Sequence, residues 1–290
     1  MTIRPFTLND VWSLLPARDP ASHKGTFGRA LLVCGSTRYR GAAALCAEGA
    51  LRGGAGIVTL ASTEPVLSLT LARTPECTLL PCAADADGGI GAENLPALLE
   101  TLPTCQALVL GPGLGKAAAP LVRALLPAAR CPVVLDADGL NAVAGQGIPL
   151  ATGGGALILT PHPGEMGRLC GLSSAEVNAD REGLAAAKAA EWGCIVVLKG
   201  AGTVIAAPDG RLWRSTTGNP GLARGGSGDV LAGMMGALCA AGLDAADAAC
   251  CAVALHGAAA DKAAARLGQW GMLPGDLPAA LGEVFAENGR

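Results

Sequence analysis

Short, continuously apolar segments alternate with longer Ala- and Leu-rich segments along most of the 290-residue chain. The short segments are typical of strands that are buried on both faces, and the longer ones are typical of helices. Such alternation predicts an α/β fold with a mostly parallel sheet that helices cover on both sides. Because the sequence has no internal repeat and no low-complexity linker, residues 1–290 are predicted to form a single domain.

The predicted elements follow from where these segments begin and end. A capping-box pattern at Ser173 and Glu176 marks one helix start. Pro208-Asp209-Gly210 marks the turn of a hairpin, which is predicted to be a local decoration of the domain. The predicted strands are 30–34, 57–61, 106–110, 133–136, 156–159 and 195–198, with hairpin strands 203–206 and 212–215. The predicted helices are 42–52, 139–144 and 173–192, with others from about 229, 244 and 277.

Five glycine-rich or charged segments directly follow predicted strands. Parallel strands bring their carboxyl ends to one edge of the sheet, where ligands of open α/β folds bind. We therefore expect these segments to meet on one rim. They are GSTRYRG, GPGLG, DADGLN, TPHPGE and KGAGT.

Composition excludes several classes of protein. The net charge is −3 and no basic face is visible, which argues against nucleic-acid binding. No apolar run approaches the length of about 18 residues that a membrane span needs, and the first residues lack a signal-peptide core. The 11 cysteines are scattered without a CxxC pair, so neither disulfides nor a zinc site is expected. We expect a cytoplasmic protein whose core consists of Ala, Leu, Val and Ile.

The densest glycine segment is GNPGLARGGSGDVLAG, residues 218–233. Small residues before a helix allow consecutive amides to point into one cavity, where the helix start adds positive potential. The amides of Gly226, Ser227 and Gly228 are therefore candidates for holding a phosphoryl group, and Asp229 is a candidate base. The alternative is a glycine turn that Asp229 merely caps.

This segment resembles the anion-hole motif of the ribokinase-like superfamily, which has a three-layer αβα sandwich fold. HKGTFG at 23–28, the segment 35–56, TPHPGE at 160–165 and VLKGAGT at 197–203 resemble motifs of the ADP/ATP-dependent NAD(P)H-hydrate dehydratases. They occur in that family's order over nearly the whole chain. The resemblance implies a lyase of nicotinamide-nucleotide repair, which phosphorylates the ring hydroxyl of (S)-NADHX or (S)-NADPHX and then eliminates phosphate.

The resemblance also implies the site. Asp229 would be the catalytic base, and Gly226, Ser227 and Gly228 would hold the transferring phosphoryl group, with Mg²⁺ as a cofactor. The implied nucleotide contacts, for ADP or else ATP, are Lys199, Gly200, Ala201, Gly202, Thr203 and Gly228. The implied hydrate contacts are Ala42 or Ala43, Gly113, His162 and Asp229.

Several residues remain open from sequence alone. His162 could instead be a packed loop histidine, and Lys199 a surface cation. Asp136 and Asp138 could hold Mg²⁺ through water or could cap a short helix, so the metal ligands are unknown. Arg224 stands where many relatives have a small or hydroxyl residue, and could face the phosphate or pair with a surface acid. GPGLG matches neither a Walker A loop nor a dinucleotide fingerprint.

Partners and alternatives complete the predictions. The epimerase domain that many relatives carry is not in this sequence, so a separate NAD(P)HX epimerase is expected in the pathway, and relatives suggest a homotetramer. Preference between NADHX and NADPHX stays open. A small-molecule kinase of the same superfamily is the first alternative, and it would release a stable phosphorylated product. A non-enzymatic nucleotide-binding regulator is the second, although it would not need Asp229.

Overall fold

This computed structural model describes residues 2–290, with all their side chains except that of Ala117. The strands of this part of the chain are β1 (Arg4–Phe6), β2 (Arg29–Val33), β3 (Ile57–Thr63), β4 (Thr78–Cys82), β5 (Ala107–Leu110), β6 (Val133–Leu135), β7 (Leu157–Leu159), β8 (Ile195–Leu198), β9 (Val204–Ala206) and β10 (Leu212–Ser215). They form one sheet in the order β1-β10-β9-β8-β7-β6-β5-β2-β3-β4. Neighbouring strands are parallel except where β9 pairs with β8 and β10, which confirms the mostly parallel sheet.

Helices connect the strands and cover both faces of the sheet. The helices of the described residues are α1 (Leu8–Leu14), α2 (Arg40–Arg52), α3 (Glu64–Arg73), α4 (Leu95–Thr101), α5 (Ala118–Ala128), α6 (Asp138–Gln146), α7 (Pro163–Cys170), α8 (Ser174–Ala179), α9 (Arg181–Trp192), α10 (Ser227–Ala240), α11 (Ala245–Gly271) and α12 (Leu277–Glu287). Helix α11 is kinked at Gly268, whose φ is 71°. None of the helices between residues 2 and 290 combines the length and apolarity that a membrane crossing requires.

The core consists of two apolar clusters separated by the sheet. Successive strand side chains point to opposite faces, so Leu31 belongs to one cluster and Leu32 to the other. Helices α1, α2, α3, α10, α11 and α12 contribute to the cluster that contains Leu32, and α4 to α9 contribute to the other. This arrangement is the predicted three-layer αβα sandwich, with a core of mainly Ala, Leu, Val and Ile.

Helices α2 and α10 pack with their backbones in contact. A Cβ atom on Gly233 would lie 1.9 Å from the carbonyl oxygen of Cys46, and one on Gly49 would lie 2.3 Å from that of Val230. Only glycine fits at these two positions. Leu45 near the start of α2 also reaches Gly226 at the start of α10, so both helices begin on the same rim of the sheet.

Two sequence predictions about the fold are wrong in detail. The helix predicted over 173–192 is two helices, because Asp180 leaves helical geometry (φ −146°, ψ 73°) and its side chain caps the Gly183 amide at 2.8 Å. The hairpin of β9 and β10 is not a decoration but part of the main sheet, which β1 extends beyond it. The sequence reasoning also missed the strands β1 and β4 and the helices α1, α3, α4 and α7.

Candidate active site

The five glycine-rich or charged segments meet at one rim of the sheet, as predicted. Each follows one of the parallel strands β2, β5, β6, β7 and β8. Hydrogen bonds join neighbouring segments: the Lys199 amide donates to the Pro161 carbonyl at 2.8 Å, and the Gly115 amide donates to Oδ2 of Asp138 at 2.8 Å. These hydrogen bonds link the loops of the rim to one another.

A cavity of about 810 Å³ opens on this rim. It brings together the 199–203 loop, the glycine nest at 225–228 and the catalytic candidate Asp229, which are distant in sequence. A volume of this size suits a small organic ligand. The other residues that line it are Asp136, Ala137, His162, Pro163, Glu165, Thr217, Gly218, Asn219, Pro220, Leu222, Ala223, Arg224, Leu231, Val253, His256 and Gly257.

A second pocket of about 580 Å³ lies on the other side of the β6–α6 turn. Asp136 and Ala137 line the first cavity, whereas Asp138 lines the second. Ala137 between them has φ 51° and ψ −114°, and among residues 2–290 it is the one non-glycine residue with positive φ. Backbone strain of this kind is concentrated at functional sites. The turn directs two acidic side chains into two different pockets.

The glycine nest forms where α10 begins. Gly226 precedes the helix with φ 105°, and a Cβ atom there would lie 2.7 Å from Cδ1 of Leu45. The amides of Gly228 and Asp229 have no hydrogen-bond acceptor within residues 2–290. These amides belong to the first helical turn, where partial positive charge favours an anion. Of the three amides predicted to hold the phosphoryl group, those of Gly226 and Gly228 have no acceptor within residues 2–290, whereas that of Ser227 donates to the Arg224 carbonyl at 3.3 Å.

Asp229 lies in the first turn of α10, beside the nest. Burial raises the pKa of its carboxyl group to about 7, and the negative charge of Asp136 adds to this effect. The positive charge of Lys199 acts in the opposite direction. A carboxyl group with a pKa near neutrality can accept a proton and later release it, as a general base requires.

Lys199 is not the surface cation that the sequence left open. Its Nζ lies 2.7 Å from Oδ1 of Asp136 and 3.7 Å from Oε2 of Glu165, and its side chain is 19% exposed. Burial alone would lower the pKa of Lys199, but the two carboxylates outweigh it and the pKa is raised. A Cβ atom on Gly228 would lie 3.3 Å from this Nζ. The cation is thus fixed directly beneath the nest.

The carboxylate of Asp136 is held by two hydrogen bonds. Its Oδ1 accepts hydrogen bonds from Oγ1 of Thr160 at 2.6 Å and from Nζ of Lys199 at 2.7 Å. Its companion Asp138 begins α6 and accepts the bond from the Gly115 amide described above. Both carboxylates are tied to neighbouring loops.

His162 caps helix α7 at the edge of the cavity. Its Nδ1 accepts hydrogen bonds from the amides of Gly164 at 3.0 Å and Glu165 at 3.4 Å, while the Glu165 carboxylate accepts from the His162 amide at 2.8 Å. The imidazole is half-exposed and lines the cavity. The residue therefore has a local structural task and still faces the space where a ligand would lie.

The predicted hydrate contacts Ala42 and Gly113 lie against each other, next to Tyr39. A Cβ atom on Gly113 would lie 2.8 Å from the Ala42 side chain and 2.9 Å from that of Tyr39, which lines the second pocket. Ala43, offered as the alternative to Ala42, is fully buried in the core. Of the two alanines, Ala42 is the one that reaches the surface.

Arg224 and His256 are the remaining side chains of note. Arg224 lines the cavity, and its Nη2 donates to the Trp270 carbonyl at 2.6 Å. It therefore bonds to a backbone carbonyl and not to a surface acid.

His256, which sequence reasoning missed, lies buried in α11 with Nε2 2.9 Å from the Ser227 carbonyl oxygen. Burial lowers its pKa to about 4, so the neutral ring donates to that carbonyl. The sequence could have pointed to His256, because a single histidine within an Ala- and Val-rich helical segment needs a hydrogen-bond partner when it is buried.

An αβα sandwich with a glycine nest and a buried carboxylate at one helix start defines the ribokinase-like class of proteins. A ribokinase-like superfamily protein from Enterococcus faecalis superposes with a TM-score of 0.83 at 25% identity, over 98% of this chain and 96% of that one. The family model described as NAD(P)H-hydrate dehydratase matches residues 30–282. The chain belongs to the NAD(P)H-hydrate dehydratase family.

Individual relatives agree with this assignment. The ADP-dependent (S)-NAD(P)H-hydrate dehydratase of Bacillus subtilis is 40% identical over 267 residues, 90% of each chain. The structure of the ADP/ATP-dependent NAD(P)H-hydrate dehydratase from Bacillus subtilis, co-crystallised with ATP and Mg²⁺, has a TM-score of 0.85 at 38% identity over 98% of both chains. The bifunctional NAD(P)H-hydrate repair enzyme of Moorella thermoacetica is 45% identical over 91% of this chain. The match covers 50% of the length of that relative, so this chain spans about half of it.

Proposed function

We propose that this chain is an ADP-dependent (S)-NAD(P)H-hydrate dehydratase that returns (S)-NADHX and (S)-NADPHX to NADH and NADPH. The proposal rests mainly on the position and the raised pKa of Asp229. Phosphoryl transfer to a hydroxyl needs a base, donors for the transferring group and a site for the nucleotide. Asp229 with its pKa of about 7 would be the base, the unpaired amides at the helix start would be the donors, and the 199–203 loop in the same cavity would bind the nucleotide. The name of the Bacillus subtilis relative supports the choice of nucleotide and hydrate.

In the first step, the hydroxyl oxygen of the hydrated ring attacks the terminal phosphorus of ADP. Asp229 accepts the hydroxyl proton, and AMP leaves with the electron pair of the broken P–O bond. The amides of Gly226, Gly228 and Asp229, which have no acceptor within residues 2–290, stabilise the charge on the phosphoryl oxygens during transfer. The ammonium of Lys199, 3.3 Å from the position of a Cβ on Gly228, adds positive potential beneath them.

In the second step, the phosphorylated ring loses phosphate. The ring C–O bond breaks, phosphate takes the electron pair, and a proton lost from the adjacent carbon restores the double bond of the dihydropyridine. Phosphorylation converts a poor leaving group into a good one, which explains why a dehydratase would need a nucleotide. We propose that Ala42, Gly113 and His162 position the hydrate, and that Lys199, Gly200, Ala201, Gly202 and Thr203 with Gly228 bind the nucleotide.

The carboxylates of the cavity fit Mg²⁺ that arrives with the nucleotide. Asp136, Asp138 and Glu165 all raise the pKa of Asp229, so the cavity carries negative charge that a divalent cation would offset. Within residues 2–290 no three acidic, His or Cys side chains are placed to hold a metal by themselves. Mg²⁺ is commonly held by one or two carboxylates together with phosphate oxygens and water. We propose Glu165 as the protein ligand, with water and phosphate oxygens completing the site, which leaves Asp229 free to accept a proton; the ion would neutralise charge on the phosphates.

The test is to incubate the protein with the S-hydrate of NADH, Mg²⁺ and either ADP or ATP. Recovery of the reduced-nicotinamide absorbance with stoichiometric release of phosphate is expected, and the faster nucleotide identifies the preferred one. Repeating the assay with the hydrate of NADPH gives the preference between the two substrates. A stable phosphorylated product without phosphate release would replace the proposal by a small-molecule kinase.

The wider setting of the enzyme is also a proposal. The names of the longer relatives describe bifunctional repair enzymes, and we propose that a separate NAD(P)HX epimerase supplies the S epimer to this chain. All 11 cysteines are free, which supports a reducing, cytoplasmic setting. We also propose the homotetramer that the family resemblance suggests. The single sheet supports one domain over residues 1–290.

A further inference from the structure

Three carbonyl groups in or directly before the 199–203 loop accept hydrogen bonds from side chains. Nη2 of Arg181 donates to the Leu198 carbonyl at 2.8 Å, and Nη1 donates to the Ala201 carbonyl at 2.7 Å. The Gly200 carbonyl accepts a third bond, from Oγ1 of Thr203 at 3.1 Å. One guanidinium group therefore ties together the two ends of the turn that contains Lys199.

The amides of the same loop are free. In the part of the chain that the structure describes, the amides of Gly200, Ala201 and Gly202 donate to no protein acceptor. All three residues line the cavity. Successive unpaired amides in a turn form a concave site for anions. The loop thus presents donors to the cavity because its acceptors are occupied elsewhere.

Arg181 occupies a position that is unfavourable for a cation. It is the first residue of α9, where the helix dipole is positive, and its Nε is buried without a hydrogen-bond partner. Burial lowers its pKa, and the positive charge of Arg214 lowers it further. Among residues 2–290, no acidic group lies within ion-pair distance of Arg181. Its strong interactions are therefore those with the two loop carbonyls.

Gly200 shows how closely the guanidinium fits this loop. Its φ is +148°, and a Cβ atom there would lie 2.9 Å from Nη2 of Arg181. The backbone turn and the guanidinium are in direct contact, whereas Arg181 itself is not among the described residues that line the cavity. The side chain supports the loop from behind and does not face the ligand.

We propose that Arg181 is a positioning residue that turns the 199–203 amides towards the phosphates of the nucleotide. By holding the carbonyls of Leu198 and Ala201, it fixes the loop in the anion-binding conformation before the nucleotide arrives. The inference rests on the proposed function for the identity of the ligand, ADP. Without the guanidinium the loop would have to be ordered on binding, and nucleotide affinity would fall while the chemical step at Asp229 would be preserved.

The first experiment compares Arg181→Met with Arg214→Met. Arg214 is another cation close to the loop, paired with Glu182, and it makes no hydrogen bond to the loop carbonyls. We expect Arg181→Met to raise both the Kd of ADP, measured by calorimetry with Mg²⁺, and its KM by about tenfold or more, with kcat changed by less than about threefold. Arg214→Met should change the ADP Kd by less than about twofold. Equal losses in the two variants, or an unchanged Kd in Arg181→Met, would overturn the proposal.

A second pair of variants keeps the test decisive if Arg181→Met folds poorly. Lysine can bind one carbonyl at a time, so Arg181→Lys should have an ADP Kd between those of the wild type and Arg181→Gly. Added methylguanidinium should lower the ADP Kd of Arg181→Gly, and it should leave that of the wild type unchanged. Absence of rescue together with a wild-type Kd in Arg181→Lys would contradict the role of the guanidinium.

The outcomes also separate this inference from the proposed function. If the wild type binds ADP but does not repair the hydrate, the proposed reaction fails while the Kd series still tests Arg181. If the wild type repairs the hydrate and Arg181→Met binds ADP normally, the positioning role fails and the proposed reaction stands.

Discussion

The ammonium of Lys199 and the carboxylate of Asp136 form a 2.7 Å ion pair beside the catalytic candidate Asp229. The two partners act on Asp229 in opposite directions: the charge of Asp136 raises the pKa of Asp229, and the charge of Lys199 lowers it. Burial is the main cause of the raised pKa of Asp229, about 7, and the pair adjusts that pKa without either member having to contact the reacting hydroxyl.

Removing either partner should move the acid limb of the pH–activity profile, but in opposite directions. In Asp136→Asn the pKa of Asp229 falls, so activity persists to lower pH than in the wild type. In Lys199→Met the pKa rises, so the acid limb moves to higher pH and activity at neutral pH falls. The measurement is kcat against pH for both variants at saturating ADP and hydrate. Shifts in the same direction would show that the pair does not control Asp229 electrostatically.

The sequence predicted which segments would meet at the site, but not these contacts. The strands were visible because they are short apolar runs, and their carboxyl ends located the rim. The partners Asp136 and Lys199 are 63 residues apart, and only the register of β6, β7 and β8 brings them together. Sequence reasoning offered a metal ligand or a cap for Asp136, and a nucleotide contact or a surface cation for Lys199. It did not predict their ion pair, because it had no information on their separation.

Local breaks were also difficult to anticipate from the sequence. The segment after Ser173 has the composition of a continuous helix, yet the Asp180 side chain caps a new helix start and leaves Arg181 at its first position. That break places the guanidinium behind the 199–203 loop. His256 was missed for a related reason, since a histidine within an apolar helix shows no partner until the start of α10 is packed against it.

Asp229→Asn should bind ADP with nearly unchanged affinity and lose turnover by about a hundredfold or more, the usual contribution of a general base. The amide retains the shape of the side chain and leaves the amides of the nest in place, but it cannot accept the hydroxyl proton. ADP binding by calorimetry and hydrate repair by absorbance measure the two effects separately. Full activity in this variant would exclude Asp229 as the base.

Gly226→Val should weaken phosphate binding, because the valine would have to adopt φ 105° and its Cβ would lie 2.7 Å from Leu45 Cδ1. Gly242→Val is the matched control. Gly242 also has a positive φ of 91°, nothing lies within 4 Å of a Cβ placed there, and the residue is outside the active-site cavity. Both variants should lose stability in thermal unfolding, but only Gly226→Val should raise the ADP Kd and the repair KM. Equal ADP affinities would refute the phosphate role of the nest.

Asp229 should also destabilise the folded protein at neutral pH. Its folded pKa of about 7 is above the ordinary value of 3.8 that the carboxyl group has in the unfolded chain, so the folded state binds more protons between these pH values. The free energy of unfolding therefore loses a contribution as pH rises through this window, and the loss is complete above about pH 7. Asp229→Asn removes the titrating group and with it the cost of burying the charge.

We accordingly expect Asp229→Asn to be more stable than the wild type at about pH 8, by an amount that shrinks as the pH falls towards about 4. The difference must be taken against the wild type at each pH. The reason is that burial lowers the pKa of His256 to about 4, so in both proteins this residue adds an opposite pH dependence, with stability rising as pH increases towards 6.5. Glu100→Gln, at an exposed position on α4, is the control for the loss of one carboxylate and should show no comparable gain. A pH-independent stability difference would mean that Asp229 is not the buried carboxyl group with a raised pKa on which the proposed chemistry depends. A gain confined to neutral and alkaline pH would show that burying the charge of the catalytic base destabilises the folded protein.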